Sequence, residues 1–325
     1  MGDQPAVMIT GIAGFCGSYL AELLLEKGQA VIGIERERAG LANLEVILDD
    51  IDLRRVDVRS PDQVRQLLAE VRPDEIYHLA AVTKLPPKGG YQALYEVNVI
   101  GTINLLEAVC AEGLDCTVLI AGSSAEYGSV TPDENPVCES QPFRPVTHYA
   151  ISKVAQGLAG YRYWAAAGLK IIRTRAFNII GPRQSPELVG SAFAQQVARI
   201  ERGLGEPVIE VGNLEARRDF VDVRDVAQAY RLIVARGEPG KVYNVCSGRA
   251  RSIRSLLEEL VSLSTVPGIE IRQDPSRFQT ADVPIQVGDY GRLYRQTGWQ
   301  PQIPFSNSLQ ALLDYWRGQS VEEAI

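Results

Sequence analysis

Tyr149 and Lys153 stand four residues apart in Tyr149-Ala150-Ile151-Ser152-Lys153, so on a helix they share one face. A phenol beside an ammonium can move a proton. Free tyrosine has a pKa of ~10, and an ammonium within a few ångströms stabilises the phenolate and lowers that value. The phenol then exchanges a proton with a substrate oxygen while hydride moves to or from a nicotinamide, whose ribose hydroxyls the lysine can also hold. Taken alone, Y-x-x-x-K is better explained by an ordinary amphipathic helix. Ser123 adds weight. The apolar run Thr117–Ala121 leads into Gly122-Ser123-Ser124-Ala125-Glu126, and a hydroxyl at the C-terminal end of a parallel strand faces the crevice where ligands bind. From there Ser123 can bond the same oxygen and orient Tyr149.

A second constellation serves the same cofactor. Gly11, Gly14 and Gly17 punctuate Thr10-Gly11-Ile12-Ala13-Gly14-Phe15-Cys16-Gly17, between an apolar run and a helical pattern. Strand, glycine turn and helix in that order bring backbone N–H groups, including those of Phe15 and Cys16, to a dinucleotide pyrophosphate at the positive helix end. The spacing is G-x-x-G-x-x-G, and glycine turns also have purely structural uses. The second strand ends in Glu35-Arg36. Glu35 is placed to accept the adenosine ribose hydroxyls, which favours NAD(H); Arg36 is placed to pair with a 2′-phosphate, which leaves NADP(H) open. Asp57 and Val58 are expected to flank the adenine.

These residues need a scaffold. Apolar strands at Val7–Thr10, Ala30–Ile34, Leu53–Val56, Glu75–Leu79, Thr117–Ala121 and Lys170–Thr174 alternate with helical patterns at Ser18–Lys27, Pro61–Glu70, Tyr95–Ala111 and Tyr149–Ala167. The alternation predicts an α/β, Rossmann-type doubly wound parallel sheet, and the continuous apolar runs predict strands buried on both faces. This dinucleotide-binding domain is expected over 1–177, with segments returning near 219–246, and a smaller C-terminal α/β lobe over 178–325. Helices are expected in that lobe at Ser191–Arg202, Val223–Arg236, Ile253–Ser262 and Ser306–Gly318, with β segments at Val208–Val211 and Val242–Val245. Pro267–Pro304 reads as a proline-containing separator.

The 325 residues suffice for such a pair of lobes. A net charge of −7 argues against non-specific nucleic-acid binding. No apolar run approaches the ~20 residues of a membrane span, and no basic-then-apolar leader opens the chain. Five scattered cysteines without C-x-x-C read as thiols in a reducing cytoplasm. The two histidines, His78 and His148, lack metal-site spacing, so no metal is expected and both read as structural.

These motifs resemble the extended short-chain dehydrogenase/reductase family nearly end to end. They include Thr10-Gly11-x-x-Gly14-x-x-Gly17, Asp57-Val58, His78-Leu79-Ala80-Ala81, Asn98-Val99-x-Gly101-Thr102, Ser123, Tyr149-x-x-x-Lys153, and Arg218-Asp219-Phe220-Val221-x-Val223-x-Asp225-Val226. Within that family the chain is most similar to the GDP-mannose branch, through Arg175–Ser185 and Asp282–Asp289, and less specifically through Thr297–Pro301. The resemblance implies catalysis by Ser123, Tyr149 and Lys153. It implies a cofactor bordered also by Leu79, Ala80, Ala81 and Asn98. It implies a GDP-linked sugar near Ser124, Ala125, Glu126, Asn178, Arg183, Val189 and Arg218, the last pairing with the diphosphate. Gln279-Thr280 departs from the branch's Arg-Pro, leaving Arg277 as a substitute phosphate contact. A homodimer through a four-helix bundle is implied for Asn98–Ala111 and Tyr149–Ala167, with Leu158, Tyr161, Tyr163 and Trp164 as apolar face.

Activity turns on one position. Dehydratases of the branch carry a Glu two residues after the catalytic Thr/Ser, often preceded by Asp, to strip the C5 proton. This chain has Ser124 and Ala125 there, and alanine moves no proton. Glu126, offset by one, reads as a structural or nucleotide-proximal carboxylate. The expected activity is NAD(P)H-dependent reduction of the C4 ketone of a GDP-4-keto-6-deoxy-mannose-type sugar, to GDP-rhamnose or its C4 epimer. The alternatives are a nucleotide-sugar 4-epimerase with retained NAD, a GDP-mannose 4,6-dehydratase, and a non-catalytic dinucleotide sensor.

Overall fold

The computed structural model describes residues 6–36, 40–83, 90–274, 276 and 283–319. The chain runs β1 (Ala6–Thr10), α1 (Phe15–Glu26), β2 (Ala30–Glu35), β3 (Asp52–Arg55), α2 (Pro61–Val71), β4 (Glu75–His78), α3 (Tyr91–Tyr95), a π turn (Glu96–Ile100), α4 (Gly101–Ala111), β5 (Thr117–Ser123), α5 (His148–Ala167) and β6 (Lys170–Ala176). It continues through β7 (Asn178–Ile180), α6 (Val189–Glu201), β8 (Val208–Val211), β9 (Arg217–Asp222), α7 (Val223–Arg236), β10 (Val242–Val245), β11 (Ala250–Ser252), α8 (Ile253–Ser262), β12 (Glu270–Gln273), β13 (Ile285–Gln286), α9 (Gly291–Thr297) and α10 (Phe305–Gly318).

The main sheet has the order β10-β6-β5-β4-β1-β2-β3, and every pair is parallel. Strand direction of growth reverses between β1 and β4, which opens the ligand crevice at their C-terminal ends. Adjacent residues of one strand feed opposite cores. Val7, Ile9 and Leu119 pack with α1 and α7 on one face. Met8, Val118 and Ile120 pack with α2, α4 and α5 on the other. This double burial explains why the strands read as unbroken apolar runs. Val242–Val245 returns to the main sheet as β10, beside β6.

The second lobe packs α6, α8 and α10 around Phe193, Val197, Leu257, Leu309 and Leu313. A small sheet, β11-β9-β13 with β7 also on β9, joins it to the crevice. Several features differ from expectation. Of the segment 219–246, β9 stays in this small sheet, and only α7 and β10 return to the main one. Pro267–Pro304 is no mere separator, because it contains β12, β13 and α9. Strands β7, β9, β11 and β13 escaped notice because each is short or opens with charged residues; pairing with β9 holds them. The helical stretch Tyr91–Ala111 is long and apolar enough by composition to cross a membrane, contrary to the sequence count. Here it lies in the helical layer against α2 and α5, with Asn98 and Thr102 buried.

Candidate active site

The glycine turn after β1 is built for close approach. Gly11 has φ +71°, and a Cβ there would come within 2.8 Å of Ala80 Cα; a Cβ on Gly17 would meet Gly11 O at 2.4 Å. Gly14 is the N-cap of α1, so the first-turn amides of Phe15, Cys16 and Gly17 have no carbonyl partner within the helix and can donate to an anion. Glu35 stands beside the turn: its Oε2 accepts the Ala13 N–H (3.2 Å) and its Oε1 the Arg36 N–H (3.1 Å). Arg36 is exposed. This uncapped helix end, shaped by glycine and read by a carboxylate at the next strand tip, fits a dinucleotide.

Past β4, Leu79 N–H donates to Thr10 O and Ala80 N–H to Thr10 Oγ1 (3.1 Å), which fixes the opposite wall beside Ala81. Asn98 sits in the π turn, where its carboxamide bonds Val82 N and O and Ser152 Oγ, so it braces the crevice wall from behind. Asp57 chelates the Arg59 guanidinium (2.5 Å), which holds its carboxyl below the usual range. Val58 is buried against Gly101.

Thr147 caps α5 by accepting the Ala150 N–H (3.1 Å), which fixes the first turn and presents Tyr149. Ser123 ends β5 within hydrogen-bonding reach of the Tyr149 phenol. Burial pushes that phenol up to about 12, eased by the Ser123 bond and reinforced by Glu126 and Cys16. The net shift is therefore upward, with burial outweighing the lowering expected from Lys153. The ammonium is 6.0 Å from the ring centroid and donates to Ala121 O (2.9 Å) and Gln156 Oε1 (2.8 Å). Burial brings Lys153 down to about 8, opposed by Glu126 and Cys16. At neutral pH Tyr149 thus holds its proton, as a donor must. Cys16 stays a thiol, pushed up to about 12 by burial.

Glu126, expected among the substrate contacts, turns away from the crevice. Its Oε1 accepts the Ser123 N–H (2.9 Å) and its Oε2 the Arg175 Nε–H (2.8 Å), with both side chains buried. Gly122 makes room, since a Cβ there would lie 2.3 Å from Glu126 Oε1. A carboxylate committed to an arginine and a backbone amide is an anchor, not a base. Ser124 is buried and its carbonyl accepts from Gln286, while Ala125 is half-buried at the crevice edge. Arg183 is likewise corrected: at φ +70° it reaches back to α1, pairing with Glu22 (2.6 Å) and lying over the Tyr19 ring. Asn178 Nδ2 donates to Asp219 O, Arg218 donates to Val283 O (2.6 Å), and Val189 opens α6. Arg277 lies outside the described residues.

His78 is buried between Thr10 and Thr102, and His148 stacks on Tyr91; neither belongs to a metal-ligating group among the described residues. Two residues were missed. Asp219 accepts from Ser247 N and Oγ, Gly248 N and Gly288 N, clamping three segments of the lobe junction. Gln156 touches Lys153. Its helical spacing of three from Lys153 was visible, but only packing shows which way the amide turns.

The site's chemistry is proton donation beside a turn shaped for a dinucleotide, with alanine rather than a carboxylate at the position after Ser124. Residues 8–312 match the family model described as GDP-mannose 4,6 dehydratase. The chain is 35% identical to a GDP-6-deoxy-D-mannose reductase of Pseudomonas aeruginosa, over 98% of this chain and 99% of that one. It is 29% identical to a Vibrio cholerae GDP-mannose 4,6-dehydratase, over 99% and 95%. In structure it is similar to RMD from Pseudomonas aeruginosa complexed with NADPH (TM-score 0.85, 33% identity, 97% and 99% covered). It is also similar to the Thermus thermophilus UDP-glucose 4-epimerase complex with NAD (TM-score 0.85, 30% identity, 97% and 100% covered). With its parallel sheet, glycine turn and Ser–Tyr–Lys site, the chain belongs to the GDP-mannose 4,6-dehydratase family of epimerase/dehydratase-type short-chain dehydrogenases/reductases.

Proposed function

We propose that this protein is a nucleotide-sugar 4-ketoreductase. It reduces the C4 ketone of a GDP-4-keto-6-deoxy-mannose-type sugar with NAD(P)H, giving GDP-rhamnose or its C4 epimer. One observation carries the choice: Ser123, Tyr149 and Lys153 converge, while the nearby acid, Glu126, is withdrawn into an ion pair with Arg175 and Ala125 stands where elimination needs a base. The 35% identity to a protein named as a GDP-6-deoxy-D-mannose reductase supports the same reading.

A nicotinamide dinucleotide held at the Gly11–Gly17 turn would supply hydride to C4. Ser123 and Tyr149 hold the ketone oxygen, and Tyr149 gives its phenolic proton to the developing alkoxide. Lys153 spends two N–H groups on Ala121 O and Gln156 Oε1, which leaves its third for a ribose hydroxyl. The alternative is a 4-epimerase, favoured by the likeness to the Thermus thermophilus enzyme. It needs the same three residues and consumes no net cofactor. Incubation of the purified protein with a panel of 4-keto-6-deoxy nucleotide sugars and NADH or NADPH should consume cofactor and yield the 4-hydroxy product. Accumulation of the 4-keto-6-deoxy sugar from GDP-mannose alone would overturn the assignment.

Glu35 beside the glycine turn supports NAD(H) as preferred cofactor, with NADP(H) through Arg36 the competing choice. Ile100 at the end of the π turn and Ile151, Leu158 and Tyr161 on α5 are exposed, which supports a homodimer through a four-helix bundle. Tyr163 is buried and Trp164 packs inward, so neither serves that face. Free cysteines support a cytoplasmic location.

A further inference from the structure

A buried file of side chains runs from the cofactor wall to Lys153. Ala80 N–H donates to Thr10 Oγ1 (3.1 Å), which lies 2.8 Å from His78 Nδ1. His78 Nε2 lies 2.8 Å from Thr102 Oγ1, to which Gln156 Nε2 donates at 2.9 Å. Gln156 Oε1 then accepts from Lys153 Nζ at 2.8 Å. Thr10, His78, Thr102, Gln156 and Lys153 are all nearly inaccessible to solvent.

The polarity of this file follows from proton counting. A threonine hydroxyl has one proton, and Thr102 gives it to Asn98 O (2.8 Å). Thr102 Oγ1 therefore accepts from both His78 and Gln156. That puts the imidazole proton on Nε2 and leaves Nδ1 to accept from Thr10. Burial keeps the ring neutral by bringing its pKa down to about 3, with Lys153 contributing. A single orientation remains for the Gln156 amide: nitrogen toward Thr102, oxygen toward Lys153.

We infer that Gln156 is a positioning residue: its neutral amide oxygen, oriented by the Thr10–His78–Thr102 file, fixes where the Lys153 ammonium sits and sets the pH at which the enzyme loses activity. The groups facing Lys153 are Glu126 from the turn after β5, Cys16 from α1, neutral His78 from β4 and Tyr149 on its own helix. Glu126 is already paired with Arg175. A neutral acceptor holds the ammonium in place while leaving it able to lose its proton near pH 8; a carboxylate at the same 2.8 Å would lock the charge on.

The inference rests on the reductase reading only in needing a reaction to follow. The experiment compares pH profiles of kcat/KM for the wild type, Gln156→Glu and Gln156→Met, with near-UV circular dichroism to establish folding. The wild type should lose activity with an alkaline limb near pH 8. Gln156→Glu should move that limb up by about one unit or more. Gln156→Met, which keeps the volume but accepts no hydrogen bond, should lower kcat by about tenfold or more with little change in sugar KM. A folded Gln156→Glu whose limb superimposes on the wild type would overturn the inference. Should that variant fail to fold, a wild-type kcat for Gln156→Met would do the same. Absence of turnover on every sugar would count against the reductase reading instead, and the pH comparison would then be made on NADH and NADPH binding followed by nicotinamide fluorescence. There too, coincident pH midpoints for wild type and Gln156→Glu would sink it.

Discussion

Replacing Tyr149 with Phe keeps the ring and removes the proton. Ketone reduction should fall by about 10²- to 10⁴-fold in kcat, while dinucleotide binding measured by fluorescence titration stays close to wild type. An equally active variant would remove Tyr149 as the proton donor. Glu35 allows a second test. Its carboxylate borders the turn that takes the adenosine ribose and repels a 2′-phosphate, so Glu35→Ala should lower kcat/KM for NADH and raise it for NADPH, reversing the ratio. His78 contributes to pH-dependent stability. The unfolded chain binds a proton at a histidine near pH 6.5, whereas the buried ring resists protonation until about pH 3. Below pH 6.5 the unfolded state therefore binds more protons, and stability is lost progressively as pH falls toward 3. Chemical denaturation from pH 7 to pH 4 should show a steeper loss for the wild type than for His78→Gln, whatever the variant's starting stability.

At the scale of elements, the junction of β5, β6 and α5 depends on the buried Glu126–Arg175 pair. Arg175 also donates to Glu139 O and lies over Tyr127, so removing its carboxylate leaves a buried guanidinium half-partnered. Glu126→Ala should cost about 3–5 kcal/mol of stability, read as a drop in thermal midpoint. Activity per folded molecule should fall far less than in Tyr149→Phe. A variant of native stability that has lost turnover would identify Glu126 as a chemical participant. The catalytic elements themselves were legible. Helix α5 was read from the helical spacing over Tyr149–Ala167 and β5 from the apolar run Thr117–Ala121, and the structure has them at His148–Ala167 and Thr117–Ser123. The small sheet around β9 was not, because Arg218-Asp219-Phe220-Val221 was read only as a motif and its charged start shows no strand pattern. Backbone pairing with β7, β11 and β13 makes them a strand, and Asp219 then clamps Ser247, Gly248 and Gly288.

At the scale of the whole molecule, the exposed apolar residues of α5, with Ile100 of the π turn, predict the assembly. Leu158→Glu combined with Tyr161→Lys should convert a dimer into a monomer by light scattering coupled to size exclusion, with the fold retained by circular dichroism. An unchanged mass would remove this face from consideration. The order of chemical residues along the chain, Gly11 to Gly17, Glu35, Ser123, Tyr149 and Lys153, was enough to set the parallel sheet, the dinucleotide and the proton donor. Glycine needs, apolar periodicity and helical spacing are local properties, and local properties are written in the sequence. The direction of each side chain is not local. Whether Glu126 meets a sugar or Arg175, whether Arg183 turns to the substrate or to Glu22, and whether Lys153 bonds Tyr149 or Gln156 were decided by how β5, β6, α1 and α5 pack. Burying a charge is costly unless a partner is at hand, and the partner is supplied by residues distant in sequence.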